Sequence, residues 1–73
     1  MKVNKTQALL YIFAILLEKG RLKKVDIMSA LEISDLTFKR YMQELRAYLM
    51  NFDEPYQLIY SRAEDTYFLK QDQ

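Results

Sequence analysis

The chain has 73 residues, a net charge of +1, one glycine, no cysteine and no histidine. A domain of this size buries only about 60% of the surface of its unfolded chain, so its core is small. The apolar fraction of 51% nevertheless predicts a folded single domain over residues 1–73. Without cysteine or histidine, disulfides and most transition-metal sites and nucleophile–base pairs are excluded. We therefore expect no enzyme activity, no metal, no cofactor and no small-molecule ligand.

The first predicted element is a helix over residues 5–19, with Asn4 as its N-cap and Gly20 as its left-handed end. One set of apolar residues recurs at helical spacing and predicts the buried face: Leu9, Ile12, Phe13 and Leu16. A second apolar set is left over: Leu10, Tyr11, Ile15 and Leu17. Two explanations remain open for this second set. Either later elements of the chain cover it, or another copy does, which would make the protein a homodimer.

The same helix contains the longest apolar run, ten residues from Ala8 to Leu17. A bilayer needs roughly 20 such residues, so this run predicts a core helix and not a membrane span. The residues that follow it, Glu18, Lys19 and Gly20, do not form the small-residue cleavage site of a signal peptide. We therefore expect a cytoplasmic protein with no membrane partner.

The second helix is predicted over residues 24–31, after a short basic connection that contains Arg21, Lys23 and Lys24. Val25, Met28 and Leu31 recur at spacings of three and are expected to be buried, with Ile27 beside them.

The third helix is predicted over residues 35–50, with Ser34 as its N-cap. Its apolar stripe is expected to face the core: Phe38, Tyr41, Met42, Leu45 and Leu49. Its opposite side is polar apart from one leucine: Asp35, Leu36, Thr37, Lys39, Arg40, Gln43 and Arg46. Charged residues opposite an apolar stripe are ordinary for a solvated helix, so this helix alone does not indicate a function.

A β-hairpin is predicted over residues 57–70, after a break at Pro55. Its strands are QLIYS and TYFLK, and its turn is SRAED. Alternation predicts one buried face (Leu58, Tyr60, Tyr67 and Leu69) and leaves Ile59 and Phe68 on the other.

The order of these elements is that of a winged helix-turn-helix, a mostly α (α+β) fold with three helices and a β-hairpin wing. The segment LEISDLTFKRYMQELR resembles the helix-turn-helix of DeoR-type proteins and of the N-terminal domain of WYL-domain transcription regulators. The matching positions are Ile33, Ser34, Thr37, Phe38, Arg40, Met42 and Leu45. The resemblance covers about residues 5–70, although Glu32 stands where the family often has Gly or Asn.

The resemblance implies a bacterial transcription regulator that binds double-stranded DNA sequence-specifically, with its third helix in the major groove. Thr37, Lys39, Arg40 and Gln43 would then have the central roles at base edges and the adjoining backbone. Phosphate contacts would come from Arg21, Lys23 and Lys24, and Arg62 at the wing tip would reach the minor groove or a phosphate. Ser34, Asp35 and Leu36 complete the predicted surface. Paired half-sites would supply specificity, which favours a dimer.

Charge is distributed unevenly along the chain. Residues 1–50 carry nine Lys/Arg and five Asp/Glu (net +4), and residues 51–73 carry two Lys/Arg and five Asp/Glu (net −3). A basic first part supports a polyanion as partner. The alternative is a winged-helix protein-interaction module or dimerisation domain without DNA binding. The small overall charge, the acidic wing (Glu64, Asp65) and the surplus apolar residues favour it. The position of the exposed apolar residues distinguishes the two: around the third helix they indicate a protein partner there, and elsewhere they indicate a dimer.

Overall fold

The computed structural model describes residues 3–71. Its elements follow in chain order: α1 (Lys5–Lys19), β1 (Arg21–Lys23), α2 (Lys24–Leu31), α3 (Asp35–Asn51), β2 (Tyr56–Ser61) and β3 (Thr66–Gln71). The three helices and the terminal hairpin have the predicted order, and each predicted boundary is within one residue of the observed one. The layout is that of a winged helix.

The strands form one three-stranded antiparallel sheet in the order β1-β3-β2. In the hairpin, Leu58 pairs with Leu69 and Ser61 with Thr66. The prediction of a plain connection over residues 21–23 was wrong, because β1 pairs with β3 and places Leu22 opposite Tyr67. Three residues are too few for an alternating pattern, so this strand is defined by its partner in the sheet and not by its own sequence.

The helix ends form as the sequence predicts. The Asn4 side chain accepts a hydrogen bond from the Gln7 backbone N–H at 2.8 Å, which caps α1. Gly20 ends α1 in the left-handed conformation with φ of 78°. Glu32, in the turn before α3, is also left-handed, with φ of 55°. Gly and Asn adopt this conformation most readily, and here a Glu adopts it.

The core lies between the three helices and the inner face of the sheet. Its buried apolar residues are Ala8, Ile12, Leu16, Leu22, Ile27, Leu31, Phe38, Met42, Leu45, Leu49 and Leu58. Phe38 is fully buried and meets the ring of Tyr67 edge to face at a centroid distance of 5.6 Å. The predicted stripe of α3 is therefore its core face, with Tyr41 half-buried at its edge.

In α2 the predicted core was partly wrong. Val25 is 53% exposed, whereas Ile27 is buried with Leu31. At 3.6 residues per turn, a step of three residues falls about 60° short of a full turn, so Val25 and Leu31 point about 120° apart. Met28 lies between them in direction and is half-buried.

The hairpin buries less than its alternation predicts. Leu58 is buried and Leu69 is half-buried. Tyr60 remains 38% exposed, although its ring lies 4.7 Å from the ring of Tyr67 and its hydroxyl donates to Asp65. Ile59 and Phe68, which were predicted to lie on the other face of the hairpin, pair with each other; Ile59 is exposed and Phe68 is half-buried.

Most of the surplus apolar set of α1 is not covered by the rest of the described chain. Ile15 packs against the core, but Leu10 is 64% exposed, Leu17 50% and Tyr11 42%. No helix among residues 3–71 combines the length and apolar content that crossing a bilayer requires.

Candidate nucleic-acid interface

The first three turns of α3 carry most of the predicted site. The buried Phe38 and Met42 fix this helix against the core, so the residues on its other side are held outward. Leu36, Lys39, Arg40 and Gln43 are all exposed. Their spacing of three and four residues places them on one outward face, which we call the α3 outer face.

Ser34 is exposed and is the N-cap of α3. Its Oγ accepts a hydrogen bond from the Thr37 backbone N–H at 3.2 Å and lies 3.1 Å from the Thr37 Oγ1. The cap therefore fixes both the first turn of α3 and the half-buried Thr37 side chain.

Asp35 pairs with the ammonium groups of two lysines that were also predicted to bind DNA. Its carboxylate oxygens lie 2.5 Å from the Lys24 Nζ and 3.1 Å from the Lys39 Nζ. Only 22% of the Lys24 side chain is exposed, whereas 58% of the Lys39 side chain is. Lys24 is thus a bridge between α2 and α3, and Lys39 retains access to solvent.

The wing turn joins the same network. The Lys24 backbone N–H donates to the Asp65 carbonyl oxygen at 3.1 Å, and the Lys24 Nζ lies 4.0 Å from the Asp65 carboxylate. The Tyr60 hydroxyl donates to that carboxylate at 2.6 Å. Lys24 therefore links the start of α2, the start of α3 and the tip of the wing, which fixes the wing beside α3.

These contacts shift the acid–base properties of the network in consistent directions. Hydrogen bonding from Lys24, and then from Lys39, lowers the pKa of the Asp35 carboxyl. The hydrogen bond to Asp35 is the main cause that raises the pKa of Lys24. The hydrogen bond to Asp65 likewise raises the pKa of the Tyr60 phenol. At neutral pH, Asp35 and Lys24 are therefore charged and Tyr60 is protonated.

Arg40 differs from these lysines because it has no carboxylate within ion-pair distance in the part of the chain that the structure describes. It lines a shallow cleft of about 510 Å³ along α3, together with Thr37 and Gln43. Lys5 and Glu44, which pair at 3.3 Å, also line this cleft. Three of the residues assigned to base edges therefore line the same cleft. Of the two cations that line it, Lys5 is paired with Glu44, whereas Arg40 has no such partner among residues 3–71.

The residues predicted to contact phosphates do not line the cleft along α3. Arg21 and Lys23 are exposed on β1, on either side of the buried Leu22, and line a separate open depression of about 980 Å³. Glu64 from the wing turn lines the same depression. Arg62 is exposed in that turn, which Asp65 ties to Lys24.

The sequence reasoning did not identify Asp65 and Tyr60 as part of the site's framework. The pair between Asp35 and Lys39 could have been predicted from the sequence, because it has the i,i+4 spacing of a helical ion pair. The contacts of Lys24 with Asp35 and Asp65 could not, because they join residues that are distant in sequence. Among residues 3–71, no three acidic residues converge to hold a metal ion.

Comparison with protein-family models, with curated proteins and with solved structures returned no match.

Proposed function

We propose that the chain is the sequence-specific DNA-binding domain of a bacterial transcription regulator, acting in the cytoplasm, with α3 in the major groove. The observation that carries the proposal is the α3 outer face. Arg40 and Gln43 are exposed there on a helix that the core fixes rigidly, and Arg40 has no carboxylate partner within residues 3–71. Arginine suits guanine and glutamine suits adenine in the major groove. The DeoR-like pattern of the sequence supports the same assignment.

The roles of the predicted residues differ by their surroundings. Arg40, Lys39 and Gln43 are the proposed base-reading residues, and Leu36 offers an apolar contact for a thymine methyl group. Arg21, Lys23 and Arg62 are exposed cations on the wing side of the molecule and are the proposed phosphate contacts.

Lys24 and Asp35 have a different proposed role, which is to hold α3 and the wing in register. Their charges are already paired with each other at 2.5 Å. A phosphate contact from Lys24 would have to compete with that pair, so we assign Lys24 to positioning first.

The rival proposal is a protein-interaction module without DNA binding. Exposed apolar side chains on α1 and at the end of α3 favour it. On the α3 outer face itself, Leu36 is the one large apolar side chain in the first three turns, beside Lys39 and Arg40. A mixed polar and cationic surface fits the edges of base pairs better than the apolar centre of a protein interface.

Selection from a random duplex library tests the proposal. We expect the purified protein to enrich a short motif, and Arg40→Ala to weaken binding to that motif by about 1–3 kcal/mol and to relax preference at one base pair. Arg46→Ala removes an arginine from the same helix, but one whose Nη2 donates to the Leu58 carbonyl oxygen at 3.3 Å, and should leave the motif unchanged. Failure to enrich any motif would contradict the proposal.

A further inference from the structure

The outward side of α1 continues into an apolar surface that the described chain leaves open. Phe13 meets the ring of Tyr48 at 6.1 Å, and Tyr48 meets Phe52 at 5.1 Å. Leu10 and Leu17 lie three residues before and four residues after Phe13, so they share its side of α1. We call these five residues the α1–α3 apolar face.

This face is large for an exposed apolar surface. Leu10 is 64% exposed, Leu17 50%, Tyr48 40% and Phe52 68%. With about 200 Å² for a fully exposed aromatic side chain and somewhat less for leucine, these four present about 400 Å². A standard interface buries about 800 Å² per partner, of which a little over half is apolar, or about 450 Å². The face therefore offers roughly the apolar area that a stable association needs.

The charge pattern selects the partner. Residues 6–17 of α1 contain no charged side chain, so two copies of this helix can approach without repulsion between like charges. A two-fold interface must be complementary to itself, and an uncharged apolar surface meets that requirement. A charged partner could form no ion pair with α1 between residues 6 and 17.

We infer that the α1–α3 apolar face binds a second copy of this chain, with the two α1 helices antiparallel. A two-fold axis perpendicular to α1 near Phe13 and Ala14 makes the helices antiparallel, because it reverses their direction. It also places Leu10 against Leu17 of the second copy, since both are the same distance from the axis. Ala14 is small and exposed, which lets the helix axes come within about 8–10 Å.

The inference does not depend on DNA binding. Neither Arg40 nor Gln43 belongs to the α1–α3 apolar face, so a substitution in one surface changes no residue of the other. Loss of one property in a variant can therefore be separated from loss of the other.

Sedimentation velocity over a range of concentrations tests the inference. We expect a species of twice the 8.8 kDa of one chain. Leu10→Glu should raise the dissociation constant of the dimer roughly thirtyfold or more, since it places a charge against the apolar Leu17 of the second copy. The matched control is Leu36→Glu, because Leu36 is 61% exposed on α3, outside this face, and should leave the dimer intact. Both leucines are exposed, so neither change removes a core residue.

Two results would overturn the inference. One is a wild-type protein that stays monomeric at all concentrations, which would leave the face to a different partner. The other is a dimer that Leu10→Glu and Leu36→Glu weaken equally, which would place the interface elsewhere.

Cysteine cross-linking tests the antiparallel arrangement, since the natural chain has no cysteine. A mixture of Leu10→Cys and Leu17→Cys chains should form mixed disulfides faster than either variant alone forms its own. In an antiparallel pair, two copies of residue 10 lie about seven helical steps apart, or roughly 10 Å along the axis. Faster cross-linking by Leu10→Cys alone would contradict this geometry.

Discussion

The outward sides of α1 and α3 differ sharply, although both helices pack on the same core. The α3 outer face carries Lys39, Arg40 and Gln43, whereas α1 has no charged residue between positions 6 and 17. Both helices bury a complete apolar stripe, so stability of the core does not explain the difference. The difference in charge is what our two proposals rest on: an anionic partner at α3 and an apolar partner at α1.

The largest expected effect is the difference in unfolding free energy between substitutions on the inner and the outer side of α3. Phe38→Ala removes a fully buried ring that contacts Tyr67, and should lower the free energy of unfolding by about 3–5 kcal/mol. Leu36→Ala, two residues away on the outer side, should change it by less than about 0.5 kcal/mol. Urea denaturation followed by circular dichroism measures both. Equal losses would mean that Leu36 is not part of an exposed face.

The next effect compares two arginines of α3. Arg40→Ala should leave the free energy of unfolding nearly unchanged while weakening DNA binding by about 1–3 kcal/mol. Arg46→Ala should show the reverse, because it loses the hydrogen bond to Leu58, at a cost of about 0.5–1.5 kcal/mol of stability. Fluorescence anisotropy and urea denaturation on the same preparations provide the two readings. If Arg46→Ala were the variant that lost DNA binding, the assigned surface would be wrong.

A smaller effect concerns the two helix starts. Ser34→Ala should cost about 1 kcal/mol of stability, because the Thr37 N–H loses its side-chain acceptor. Asn4→Ala should cost a similar amount at the start of α1. Thermal unfolding measures both, and Ser34→Asp serves as the control because Asp also caps helices. An unchanged melting curve for Ser34→Ala would mean that α3 does not depend on this cap.

The last expected effect depends on pH and tests the link between α2, α3 and the wing. Because Lys24 and Lys39 lower the pKa of Asp35 below its ordinary value of 3.8, the folded state binds fewer protons there than the unfolded state. The stabilisation is therefore complete above the ordinary pKa and is lost as pH falls through the folded pKa. The melting temperature of the wild-type protein should be higher than that of Asp35→Asn at pH 7 and at about pH 5. The difference between the two melting temperatures should shrink below about pH 4.

The matched control for that pH series is Glu44→Gln. Glu44 forms an ion pair with Lys5 in which both side chains are more than half exposed, and such pairs contribute little. Its melting temperature should follow wild type throughout. A gap between wild type and Asp35→Asn that was as large at pH 3 as at pH 5 would show that charge pairing is not the cause.

Sequence patterns predicted the parts of this fold that depend on nearby residues. The caps at Asn4 and Ser34 and the end at Gly20 each involve groups within four residues, so their chemistry is readable locally. The apolar stripe of α3 repeats over about three turns, from Phe38 to Leu49, which makes its direction unambiguous. In contrast, α2 has eight residues, and its short pattern allowed Val25 to be mistaken for a core residue.

The parts that sequence could not predict depend on contacts between distant residues. β1 exists because Leu22 lies opposite Tyr67, 45 positions further along the chain. The pairing of Lys24 with Asp35 and Asp65 changes the expected role of that lysine from a phosphate contact to a bridge. For Arg40 and Gln43, the pattern correctly predicted exposure, but the partner that they contact stays a prediction.

DNA binding by this chain is tested by titrating the protein into labelled duplex DNA at about 50 and 200 mM salt and following fluorescence anisotropy. Each neutralised phosphate contributes about −0.9 to the slope of log K against log salt. We expect binding with a slope of several units for the wild-type protein, and weaker binding for Arg40→Ala. No binding at 50 mM salt, by a protein that circular dichroism shows to be folded, would contradict the account and favour a protein-interaction module.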